Sequence, residues 1–123
     1  MKRILFAALL LLCAPLPALA QDVASPAQRI EAARRTAESA GIPASLLENK
    51  VAEGRAKGIP MARIAAAVEQ RLALLTRARD AMAGEVRGPL APTDLRVGAD
   101  ALAAGVSPET LGTLARSAPG DRR

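Results

Sequence analysis

Bond-breaking chemistry in proteins runs through a small set of side chains, and this sequence withholds most of them. Among its 123 residues there is no His, Trp or Tyr, and the sole Cys (Cys13) and sole Phe (Phe6) fall within the first twenty positions. A catalyst needs a poised acid, base or nucleophile. The remaining candidates are twelve carboxylates, a few lysines and scattered hydroxyls. Ser25, Thr93 and Ser107 each precede Pro or Asp and read as helix caps instead. Ser45 and Lys50 lack the Ser-x-x-Lys spacing of penicillin-recognising enzymes. Glu48 and Glu53 are five apart, so on a helix they diverge by about 140° and do not converge as a glycosidase pair. Zinc sites want His or Cys. A calcium loop wants acids or Asn at alternating positions, and the stretch from Asp94 to Asp100 supplies only its two ends. The expectation is a non-enzymatic protein with no catalytic residues, no metal ligands and no cofactor.

One polar feature is enriched. Arg34, Arg35, Arg55, Lys57, Arg63 and Arg71 form the candidate interaction set, with Arg77 and Arg79 following. On one reading these residues are a solvated face, partly neutralised by pairs at helical spacing such as Glu31–Arg34 and Glu31–Arg35. On the other they meet an anionic partner: lipid headgroups, phosphorylated glycans or an acidic protein surface. Nucleic acid is not expected, because no aromatic side chain beyond position 6 could stack on a base.

The residues ahead of this set read as an address. Met1-Lys2-Arg3 is a positive start, Ile4 to Ala14 an apolar run, and Ala18-Leu19-Ala20 a small-residue cleavage motif followed by Gln21. The apolar run is short for a membrane span, which takes about 20 residues. Leu12 before Cys13 departs from lipoprotein signals, which place a small residue there. Residues 1–20 are therefore expected to be a signal peptide cut after Ala20, delivering the chain to the periplasm or outside the cell. Cleavage removes Lys2 and Arg3 and lowers the net charge from +5 to +3. The remainder has no cysteine, so an oxidising compartment is tolerated but unused. Its 24 alanines outnumber its 22 Ile, Leu, Val and Met, a thin supply for a core, which points to a marginal monomer or one supported by a partner.

Those residues spell helices. Ala, Arg, Glu and Leu dominate, and nothing alternates with period two. Residues 21–24 form a short flexible lead and 25–118 an all-helical domain of about five helices. The linker 84–92 is rich in breakers, and the tail 119–123 is expected to be disordered. The first helix opens on Ser25-Pro26-Ala27-Gln28, a capping box, and turns Ala27, Ile30, Ala33, Ala37 and Ala40 inward. The second runs from Ala44 to Lys57 with Leu47, Val51 and Gly54 on one face, Gly54 admitting a neighbouring backbone. The third starts at Met61 and is the organiser: Met61, Ile64, Val68, Leu72, Leu75, Met82 and Val86 share a narrow arc. Arg79 lies on that arc and is expected to snorkel outward, while Leu74 should touch a second neighbour. The fourth, capped by Thr93, buries Leu95, Ala99 and Leu102; the fifth, capped by Ser107, buries Leu111 and Leu114.

Three junctions share a pattern. Gly41-Ile42-Pro43, Gly58-Ile59-Pro60 and Gly105-Val106-Ser107 each precede an aliphatic residue six positions after the Gly: Leu47, Ile64 and Leu111. Gly would end one helix, the β-branched residue fill the corner, and Pro or Ser start the next. Either an Ala-rich bundle simply needs such corners, or the chain is a degenerate array of helical hairpins. The functional expectation is an exported helical protein with a structural or interaction role in the bacterial envelope, binding an unknown envelope protein or itself. The alternative is an Arg-rich binder of anionic envelope components.

Overall fold

Ser25 begins the first helix as its neighbours dictate. Its hydroxyl accepts from the Gln28 backbone N–H at 3.2 Å, and the Gln28 side chain accepts from the Ser25 N–H at 2.8 Å, closing the capping box. A computed structural model describes residues 23–86 and 88–117. The expected leader, its cleavage residues Ala18, Ala20 and Gln21, and the tail 119–123 lie outside the described residues. Within them the chain is all-helical: α1 (Pro26–Ser39), α2 (Ser45–Ala56), α3 (Met61–Ala83), α4 (Pro92–Ala103) and α5 (Pro108–Ser117), with no strand.

All three Gly corners are built alike. Gly41, Gly58 and Gly105 take φ of +71°, +68° and +98°, the left-handed region that glycine enters without a Cβ penalty. Each closes a double hydrogen bond over the end of its helix. Gly41 donates to Glu38 O at 3.0 Å and Ile42 to Ala37 O at 2.8 Å. Gly58 and Ile59 repeat this on Arg55 and Gly54, and Gly105 and Val106 on Leu102 and Ala101. This is the Schellman arrangement, and it satisfies carbonyls that a helix end otherwise leaves bare. Leu47, Ile64 and Leu111 are all buried behind their corners. The likeness is one of corner and length. A displacement of 47 residues carries the bounds of α2 onto those of α4, yet buried Leu47 then falls on exposed Asp94.

Every other helix packs on α3, and α4 also meets α5. Ile64, Val68 and Leu75 of α3 are fully enclosed together with Ile42 and Leu47, and Met82 closes the far end. The small residues set how near the helices come. A Cβ added at Gly54 would lie 2.7 Å from Ile64 Cγ1, and one at Gly98 would lie 2.7 Å from Met82 Sδ and 3.2 Å from Ala78 Cβ. These close approaches supplement a core of Ile, Leu, Val and Met side chains.

Several expectations are corrected. Gly54 makes room for the Ile64 side chain, not for a backbone. The inner face of α2 is turned toward Leu46, which is buried, and this draws Lys50, one turn further on, partly inward. Ala27 is exposed, and the apolar face of α1 that packs on the core begins at Ile30. Thr93 does not cap α4. The helix begins at Pro92, whose fixed φ and missing N–H suit the first helical position, with Ala91 before it. Leu114 is 57% exposed because α5 seats Leu111, Gly112 and Ala115, and Leu114 stands roughly 100° off the centre of that face. Val86 lies beyond the end of α3. Arg79 does turn its head off the core, but onto the C-terminal end of α1, where it donates to Ala40 O at 2.6 Å. Leu74 is partly buried against the core.

Candidate functional site

The rotation of α2 that buries Leu46 has an effect at the surface. Lys50 of α2, Arg71 of α3 and Arg96 of α4 line one cleft of about 240 Å³, together with Leu46, Asn49, Glu53 and Asp100. Each cation comes from a different helix. Arg71 is the most enclosed, its side chain only 16% exposed, and it donates to Asp100 Oδ1 at 2.7 Å. Arg96 approaches the other oxygen of Asp100 only to 3.7 Å, and Lys50 reaches Glu53 at 3.4 Å. These are loose contacts by hydrogen-bond standards, so the donors of Arg96 and Lys50 are under-used.

Glu53 is held elsewhere. Lys57 donates to its Oε1 at 2.6 Å, and this bond, then the weaker one from Lys50, pulls the Glu53 pKa below the ordinary carboxylate value. The cleft therefore presents three cations against two carboxylates: Asp100, held by Arg71 at one oxygen, and Glu53, bound chiefly from outside. An adjoining cleft of about 160 Å³ shares Lys50 and Glu53, is floored by Gly54, Ile59, Ile64 and Ala67, and carries Arg63 on its rim.

The six residues singled out in the sequence thus separate. Arg71 belongs to the first cleft and Arg63 to the second, while Lys57 acts on both through Glu53. Arg34 ties α1 to α2, donating to Glu48 at 2.8 Å as well as to Glu31 at 3.1 Å. Arg35 and Arg55 are exposed and line neither cleft; the expected Glu31–Arg35 pair does not form, because Arg34 takes Glu31. Lys50, Asn49 and Arg96 were missed. Arg96 and Asp100 stand at i, i+4 and Lys50 and Glu53 at i, i+3, local signals in the sequence, but nothing local says that α2 and α4 flank the same stretch of α3.

Elsewhere the polar surface staples helices together. Arg29 Nε donates to Glu69 Oε1 at 2.8 Å across α1 and α3, and Arg116 reaches Glu85 at 2.6 Å from α5. Each arginine, by hydrogen bonding, lowers the pKa of its carboxylate and has its own pKa raised. Exposed pairs of this kind add little stability and chiefly fix how the helices are registered. Among the described residues no three Asp or Glu side chains gather as metal ligands, and no helix is long and apolar enough to cross a membrane.

The chain matches no protein-family model, no curated protein and no solved structure.

Proposed function

We propose that residues 1–20 export this chain and are removed, and that the helical unit then serves a non-catalytic interaction role in the bacterial envelope, binding a partner protein or a second copy. The observation that carries this reading is the junction between address and fold. The Ala18-Leu19-Ala20 motif stands four residues ahead of the Ser25 capping box, so a cut after Ala20 leaves α1 and its cap whole. The thin core, with its close alanine and glycine contacts, agrees with a protein that gains stability from what it binds. Crosslinking in intact cells tests the role: one envelope partner or a self-dimer, captured specifically and retained in high salt, is the expected result. Capture of cytosolic proteins alone would overturn it.

A second reading has its own support. The surface where Lys50, Arg71 and Arg96 come together, with Arg63 beside it, favours binding of anionic envelope components. Salt-sensitive association with anionic vesicles, weak at physiological ionic strength and lost in high salt, is its signature.

A further inference from the structure

The geometry points to the cleft between α2, α3 and α4 as a binding site for a single phosphate group, presented by Lys50, Arg71, Arg96 and Asn49; this deepens the second reading above and rests on it. A planar carboxylate is satisfied by a single arginine, and Asp100 already accepts one bond from Arg71 at its Oδ1. Three cations arriving from three helices suit a ligand with more than two oxygens and more than one charge. A phosphate monoester carries about −1.5 to −2 at neutral pH and three acceptor oxygens. Arg96, at 3.7 Å from Asp100, and Lys50, at 3.4 Å from Glu53, can swing to such a ligand without breaking a good bond.

The room is right for this size of group. A volume of about 240 Å³ takes one phosphate with several waters, each water occupying about 30 Å³ of liquid. Lys57 stabilises the site from outside, because its 2.6 Å bond to Glu53 draws that carboxylate's charge away from Lys50. The two carboxylates on the wall also restrict the ligand. They disfavour a broad polyanion and admit a terminal phosphate, whether free or on a lipid headgroup.

The test is titration of the protein purified from exporting cells with inorganic phosphate at matched chloride ionic strength, followed through backbone amide resonances. Saturable shifts at Asn49, Lys50, Arg71, Arg96 and Asp100 are expected. Lys50→Gln and Arg96→Gln should each weaken binding about tenfold, the scale of one charge-assisted hydrogen bond, while keeping helix content. Arg35→Gln and Arg55→Gln, outside the cleft, should leave it unchanged. Phosphatidylcholine vesicles with and without phosphatidic acid then separate the sources. Vesicle binding that falls with Lys50→Gln marks the headgroup, whereas phosphate binding without vesicle binding marks a free ligand, and either supports the site. Shifts that do not saturate, or losses equal in the Arg35 and Arg55 variants, would overturn the site. Vesicle binding that survives both cleft variants would overturn it too while leaving the broader anion-binding reading intact.

Discussion

Gly54→Ala should destabilise this protein although alanine is the better helix residue. In an exposed helix the change gains about 1 kcal/mol. Here the new Cβ would lie 2.7 Å from Ile64 Cγ1 and 3.0 Å from Cδ1, and Ile64 is 1% exposed. A β-branched side chain held on α3 has one favoured χ1 and cannot swing clear, so the helices must part or the rotamer must strain, which costs about 1–3 kcal/mol. The net loss is roughly 1 kcal/mol, or about 4–8 °C in melting temperature for a domain of this size. Gly84→Ala is the matched control: its φ of −76° suits any residue and nothing lies within 4 Å, so it should gain about 0.4–1 kcal/mol. The assay is thermal and urea unfolding followed by helix circular dichroism. The coupling can be isolated by placing Gly54→Ala on an Ile64→Ala background, where the obstructing atoms are gone and the substitution should become stabilising. A Gly54→Ala protein as stable as its parent would refute close α2–α3 packing at this point.

Other outcomes follow from the same contacts. Gly41→Ala, Gly58→Ala and Gly105→Ala each force a side chain into positive φ and should cost about 1–2 kcal/mol by urea unfolding, despite open space around them. Ser25→Ala should lose about 1 kcal/mol through the capping box, whereas Thr93→Ala, which removes no cap, should be nearly silent in the same assay. Because Glu53, Glu69 and Glu85 all have lowered folded-state pKa values, their stabilisation is present above the ordinary value of 4.5 and is lost as pH falls through the folded values below it. Unfolding midpoints should therefore hold steady above about pH 5 and decline beneath it, less steeply in Glu69→Gln and Glu85→Gln proteins.

What could be read in the sequence was local, and what could not was relational. The Gly-Ile-Pro and Gly-Val-Ser corners announce themselves because the chain's own sterics demand a left-handed glycine there, whatever surrounds it, and a Pro or Ser stands just ahead of the next helix. The dominance of α3 follows from its periodic aliphatic arc. Helix rotation was harder. In a chain so rich in alanine, a face that carries Leu46 and one that carries Val51 are nearly equivalent until α3 chooses, and that choice moves Lys50 into the cleft. Leu114 misled for the same reason: a leucine at helical spacing is inward only if a neighbour stands there. The Arg71–Asp100 link spans 29 residues, a separation at which charge patterns along the chain say nothing. The sequence therefore named Arg71 without its companions, and grouped with it Arg34 and Arg35, which the fold sends elsewhere.

The most direct test of the account is the first amino acid of the native protein. Fractionate cells making the full chain and sequence the N-terminus of the recovered product. A product starting at Gln21, released with the periplasmic or external fraction, is the result predicted from the Ala18-Leu19-Ala20 motif. A product starting at Met1 and residing in the cytosol would contradict the account.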